Sequence, residues 1–169
     1  MLFNIQQIKS IVKSLALAAT IPVFLAGCQV KPLYSSVSSE PVAVIDISQA
    51  DTRIEQVTRN QLVFLNGGAQ AGTPEYRLDL NVNSSAAGVL DAGTDNNFTA
   101  GRMTVTGSFK LTRLSDGELI RSAKRQVTSQ YDLPDQEFAK IRALQDAENR
   151  AGRELADVIY ADISAAIRK

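Results

Sequence analysis

The chain has 169 residues, 44% of them hydrophobic, and its 18 Lys and Arg are balanced by 18 Asp and Glu. It has no histidine and one cysteine, which removes the commonest general base and metal ligand and any disulfide within the chain. The neutral balance argues against a nucleic-acid binder, whose affinity rests on a basic excess.

The N-terminus carries Lys9 and Lys13, then an apolar run from Ser14 to Leu25 that is too short for a stable membrane span. Leu25-Ala26-Gly27-Cys28 closes it. Small Ala26 and Gly27 leave a peptidase room to reach the backbone, and the whole arrangement resembles the bacterial lipobox. That resemblance implies residues 1–27 as a lipoprotein signal peptide, a diacylglyceryl group on the Cys28 thiol, and a further acyl chain on the new N-terminus. At about 0.8 kcal/mol per buried CH₂, two or three chains make an anchor that hardly dissociates. The competing readings are an uncleaved anchor and a secreted chain with a chance cysteine. Gln29 stands where an Asp is the usual signal for inner-membrane retention, so the expected address is the periplasmic side of the outer membrane. Cleavage removes two lysines and leaves 142 residues with a net charge of −2, enough for one domain with a modest core.

Residues 28–41 read as the acylated cysteine and a flexible Ser- and Pro-rich tether, with a small amphipathic patch at Lys31-Pro32-Leu33-Tyr34. Fully extended, such a segment reaches ~40 Å. A single domain is expected over 42–169. Val42 to Ile47 is rich in β-branched residues and suits a short strand. Asp51 or Thr52 can cap a helix to about Leu65, with Ile54, Val57, Gln61 or Leu62, and Leu65 along one face, ended by Asn66-Gly67-Gly68. Tyr76, Leu78, Leu80 and Val82 then alternate with Arg77, Asp79, Asn81 and Asn83, as a half-buried antiparallel strand does.

Residues 84–97 are mostly Ser, Ala, Gly, Asp and Asn and read as a polar loop with little capacity to pack. From Gly101 the alternation returns, with Met103, Val105, Phe109 and Leu111 on one side. Ser115-Asp116-Gly117 is a hairpin turn. Pairing Leu114 with Glu118 sets Phe109 opposite Ala123, Val105 opposite Val127 and Gly101 opposite Tyr131, all on the apolar side. The other side holds Thr106, Ser108, Lys110, Ser122, Lys124, Gln126 and Thr128. Arg121 and Arg125 fall on the core side, either snorkelling at a sheet margin or marking a bulge in the fourth strand. Leu133-Pro134-Asp135 opens a last helix that keeps apolar spacing from Phe138 to Ile167. At ~50 Å it looks longer than any strand could cover, so it must bend, near Gly152 for instance, or project. The expected architecture is α+β: a two-layer sandwich of two helices, the second long, on one face of a roughly four-stranded, mostly antiparallel sheet.

No catalytic constellation is visible. The chain lacks a Gly-x-Ser-x-Gly elbow and a Ser-x-x-Lys pair at a helix start. The carboxylates Asp91 and Asp95, beside Asn96 and Asn97, fit no EF-hand spacing, and Glu154 with Asp157 sits on a helix surface. Gly67-Gly68 precedes no Lys-Ser or Lys-Thr and opens no helix, so it is no phosphate cradle. The residues point to a binding or assembly protein, with no enzyme activity, no cofactor and no metal.

Several stretches together resemble the alphaproteobacterial form of the LPS-assembly lipoprotein family LptE. They are Arg59 to Gly68, Tyr76-Arg77-Leu78, Ala100 to Leu119, Gln136-Glu137-Phe138-Ala139 and Asp146 to Arg150, with the Pro-Leu-Tyr after Cys28. The resemblance implies a compact α/β body that plugs the lumen of the outer-membrane barrel LptD, assists its assembly and takes part in delivering lipopolysaccharide to the cell surface. It also implies lipopolysaccharide contact through basic residues. Here Arg102, Lys110, Arg113, Arg121, Lys124 and Arg125 concentrate on one hairpin, and no acidic residue lies between Phe98 and Ser115. Their plainer role is a solvated face set against an acidic barrel wall. Two other readings stay open: an auxiliary lipoprotein of a lipid-transporting ABC system, and an enzyme with an unfamiliar carboxylate site.

Overall fold

Strict two-residue alternation over three strands decides which face of the sheet is buried, and the chain obeys it with few exceptions. The computed structural model describes residues 43–68, 72–91 and 98–168. Cys28 with its lipobox, the tether, Val42, and Asp95 to Asn97 lie outside them. The elements are β1 (Ile45–Ile47), α1 (Arg53–Leu65), β2 (Tyr76–Asp91), β3 (Phe98–Arg113), β4 (Leu119–Asp132) and α2 (Glu137–Ile167). The sheet order is β1-β2-β3-β4, with β1 parallel to β2 and the other pairs antiparallel. Leu78, Val82, Met103, Val105, Phe109, Leu111 and Val127 turn one face toward Ile54 and Leu62 of α1 and Ala147, Ala151, Leu155, Ile159 and Ile163 of α2. This is the α+β two-layer architecture the pattern predicts, with the long helix last.

The turn at Ser115-Asp116-Gly117 forms where expected, Gly117 adopting φ 73° without a side-chain penalty, but the Leu114–Glu118 pairing expected beside it does not form, since Glu118 stands opposite Arg113 and Leu119 opposite Thr112. Phe109 pairs with Ala123, Val105 with Val127 and Gly101 with Tyr131, as expected. Close to the turn the ladder shifts: Leu111 pairs with Arg121 but Thr112 with Leu119. Ile120 is therefore a bulged residue in β4. At the turn, Arg113 N–H donates to the Glu118 carbonyl at 2.9 Å, and Leu114 N–H turns instead to the Glu75 carbonyl.

Three expectations are corrected. Residues 84–91 are not loop: β2 runs on through Ser84 to Asp91, paired with β3 as far as Phe98. Small polar residues carry no apolar alternation, but a neighbouring strand satisfies their backbone whatever their side chains. This also removes the need for the last helix to bend or overhang. Strands of 16 residues reach ~53 Å, more than the ~46 Å of a 31-residue helix, and α2 runs unbroken through Gly152. Gly152 instead admits α1, since a Cβ there would stand 2.7 Å from Ile54 Cδ1 and 3.2 Å from Val57 Cγ1. Third, the buried stripe of α1 is Ile54, Glu55, Thr58 and Leu62, with Val57, Gln61 and Leu65 only half-buried.

Glu55 explains the shift. Thr52 caps α1 and Glu55 completes a capping box, its Oε2 accepting from the Asp51 and Thr52 N–H groups at 2.9 and 3.2 Å. Its Oε1 accepts from Val82 N–H at 3.0 Å and Asn81 Nδ2 at 3.2 Å. Just before it, Ser48 Oγ accepts from Leu80 N–H at 3.0 Å. Beyond the three residues of β1, two side chains thus continue the edge pairing of β2.

Candidate functional site: the open face of the sheet

The face away from the helices is polar from edge to edge. In β2 it carries Arg77, Asp79, Asn81, Asn83 and Ser85, all exposed; in β3, Arg102, Thr104, Thr106, Ser108, Lys110 and Thr112; in β4, Ser122, Lys124, Gln126, Thr128 and Gln130. The registers place them in cross-strand rows, such as Asn83, Thr106 and Gln126, or Asn81, Ser108 and Lys124. Such groups can exchange water for a partner's polar groups at little cost. A shallow depression of about 350 Å³ lies between Asp79, Asn81, Ser108, Lys110 and Ser122.

The six basic residues do not form one patch. Arg102, Lys110 and Lys124 lie on the open face, and Lys110 and Lys124 are diagonal neighbours, because Lys124 pairs with Ser108 and Lys110 with Ser122. Arg102 stands eight residues back along β3, ~26 Å away. No ion pair within the domain is recorded for these three among the described residues. The other three point to the helix side. Arg121 and Arg125 both reach Asp162 of α2, at 2.9 and 2.5 Å, so they are margin residues held by a helix carboxylate. Arg113 binds Asp116 and Glu118 at 3.0 and 2.6 Å. The Asp116 hydrogen bond, with others from Tyr76 and Glu118, raises its already high pKa, while the Glu118 N–H and Arg113 together lower that of Asp116. A cleft of about 370 Å³ opens between Arg113, Glu118, Arg121 and Asp162.

Sequence reading missed Asp162 and Glu55. Asp162 lies 41 residues from Arg121, and no local pattern announces a partner so distant. Glu55 had one available signal, the Thr52-x-x-Glu55 capping box. Asp157 of the helical carboxylate pair accepts from Gln61 Nε2 at 3.2 Å, a link between helices. Among the described residues no group of three His, Cys, Asp or Glu converges to hold a metal.

No protein-family model matches the chain, and no curated protein matches it. Among solved structures it is similar to a protein of Caulobacter crescentus CB15 assigned as a lipoprotein, with 22% identity, a TM-score of 0.65, and 79% of this chain and 97% of that one covered. It is also similar to the rare lipoprotein B of Shewanella oneidensis, with 15% identity, a TM-score of 0.55, and 72% and 92% covered. A minor lipoprotein of Acinetobacter baumannii gives 12% identity, a TM-score of 0.52, and 72% and 88% covered. The described domain therefore has a fold found in bacterial lipoproteins.

Proposed function

We propose that this chain is an outer-membrane lipoprotein, acylated at Cys28, whose domain plugs the lumen of the LPS-assembly barrel LptD and assists its assembly in lipopolysaccharide transport to the cell surface. The observation that carries this reading is the uncovered sheet face. A sheet with one face buried and the other wholly polar suits the water-filled interior of an outer-membrane barrel, whose lumen side is polar. A lipid anchor would hold the domain beside such a host and raise its local concentration. The fold shared with bacterial lipoproteins and the family resemblance of Arg59 to Gly68 and its companion stretches support the same role. Lipopolysaccharide contact, on this reading, centres on Lys110 and Lys124, whose unpaired ammonium groups can hold phosphate by charge-assisted hydrogen bonds. The domain works by binding and orientation, without a cofactor.

Affinity purification of the full-length chain from detergent-solubilised membranes, with mass spectrometry of what it holds, tests this. The expected partner is an outer-membrane barrel, and the expected intact mass includes acyl chains on Cys28. Recovery of an inner-membrane ABC complex instead of a barrel, or an unmodified Cys28 thiol, refutes the proposal. Cys28→Ser should leave the chain uncleaved at the inner membrane.

A further inference from the structure

One end of the domain gathers the start of the described chain, the tip of the β3–β4 hairpin and the last turns of both helices. The described chain begins at Ala43, whose carbonyl accepts from Asn66 Nδ2 at the end of α1. Glu75 ties this entry to the hairpin tip: its N–H donates to the Val44 carbonyl and its own carbonyl accepts from Leu114 N–H, each at 2.9 Å. α2 arrives at the same end, since Asp162 holds Arg121 at the start of β4.

The cleft of about 370 Å³ at this end has a balanced charged lining, Arg113 and Arg121 beside Glu118 and Asp162, and an apolar part from Ile120, Ala165 and Ala166. The internal ion pairs leave capacity unused. Arg121 gives one of its five N–H groups to Asp162, from Nη2, and Arg113 meets both of its carboxylates through Nη1. Glu118 accepts from Arg113 at Oε2, and its Oε1 has no hydrogen bond recorded among the described residues. Two positive and two negative side chains repel a bare anion as much as they attract it. A ligand carrying both a phosphate and an ammonium group satisfies both halves. Glu118 and Arg121 are three residues apart, at most ~10 Å between Cα atoms, a gap that two charged groups on a two-carbon link close between two long side chains.

The same end says where such a ligand comes from. Leu114 and Leu119 flank the turn beside the cleft, 48% and 55% exposed, and Phe64 in the last turn of α1 is 74% exposed. Val89, Phe138 and Ile141 are exposed at the far end, so apolarity alone does not choose between the two. Length does. Ala43 comes fifteen residues after Cys28, a span of at most ~50 Å, and β2 and β3 are themselves ~53 Å long. A domain anchored through Cys28 therefore brings its far end to the membrane only with the connecting chain stretched along its whole length, whereas the entry end meets the membrane at any extension.

We infer that this cleft binds the headgroup of a zwitterionic, phosphoethanolamine-type phospholipid, with Arg113 and Arg121 on the phosphate, Glu118 on the ammonium, and Leu114 and Leu119 against the leaflet. Asp162 holds Arg121 in place for it. The membrane source rests on the reading that Cys28 is acylated; the chemistry of the cleft does not. The site is on the helix side of the sheet, apart from Lys110 and Lys124, and leaves the open face to the barrel.

Two measurements on the full-length chain test this. In non-ionic detergent, glycerophosphoethanolamine should shift the Glu118 and Arg121 amide resonances and bind at least tenfold more tightly than glycerophosphoglycerol, which has the same phosphate and no ammonium. Glu118→Gln should abolish that preference, and Arg121→Gln should weaken glycerophosphoethanolamine binding at least fivefold; both side chains are exposed, so both variants fold. In vesicles, the chain has no tryptophan of its own, so Leu119→Trp supplies a single reporter. Brominated phosphatidylethanolamine should quench it at least threefold more than Val89→Trp at the far end. No headgroup binding, equal binding of the two headgroups, or binding untouched by either glutamine variant overturns the cleft assignment. Headgroup binding with equal quenching at both ends overturns the membrane source and leaves a site for a free zwitterion. Intact mass of the same sample judges the anchor separately: an unmodified Cys28 refutes acylation, while the titration in detergent still decides the cleft.

Discussion

Replacing Glu55 tests how the domain joins its first helix to its sheet. The carboxylate receives four hydrogen bonds, two from the Asp51 and Thr52 N–H groups and two from Val82 N–H and Asn81 Nδ2, and the residue is 4% exposed. Glu55→Gln keeps the volume but turns an NH₂ group toward one pair of donors. Leaving a buried donor unsatisfied costs ~1–3 kcal/mol, and weakening an N-terminal cap ~1 kcal/mol, so the expected loss is ~2–3 kcal/mol. At roughly 3–4 °C per kcal/mol for a domain of this size, melting should fall by about 10 °C. The sign with pH follows from the same geometry. Burial pushes the Glu55 carboxyl up, but the Val82, Asp51 and Thr52 N–H groups outweigh it and hold its pKa below the ordinary value. Its contribution is therefore complete above the pKa of an unfolded glutamate, ~4.3, and fades as pH falls through the lower folded value. Urea unfolding of both proteins between pH 7 and pH 3 measures it. A loss under ~0.5 kcal/mol at pH 7, or a difference that does not shrink on acidification, refutes the argument.

Gly152→Val should destabilise by ~2–3 kcal/mol in urea unfolding, because its Cβ would meet Ile54 at 2.7 Å and Val57 at 3.2 Å; an unchanged midpoint would mean that α1 can move aside freely. Asp162→Ala should cost ~1 kcal/mol by thermal melting, since it strands Arg121 and Arg125 in a partly exposed cluster. Lys110→Glu with Lys124→Glu should weaken lipopolysaccharide binding in a direct binding assay, with stability held within ~1 kcal/mol because both side chains are exposed. Unchanged binding would remove the lipid contact and leave only the plug role.

Much of the domain was legible from local rules. Leu78, Val105, Phe109 and Leu111 announce their buried face by alternation, and the facing apolar sides of the hairpin match from Phe109–Ala123 to Gly101–Tyr131, with the bulge at Ile120 making up the one-residue difference at the turn. Thr52 and Asn66-Gly67-Gly68 bound α1 within a residue or so. The candidate site was half legible. Alternation placed Lys110 and Lys124 together on the wet face and Arg121 and Arg125 on the other, but Asp162, which holds those arginines, lies on a helix with no periodic tie to them.

What the sequence by itself determined is everything carried by a period or a turn: which elements form, which faces are apolar, and that one sheet face stays polar. The tertiary structure alone decided where β2 ends, because Ser84 to Gly88 are extended through the backbone of β3 and not through their own side chains. It alone also decided why Gly152 lies in the long helix, where α1 crosses close, and how Glu55 closes an edge that β1 leaves short. Each of these depends on groups far apart in the chain, and local propensity has no reach over such distances.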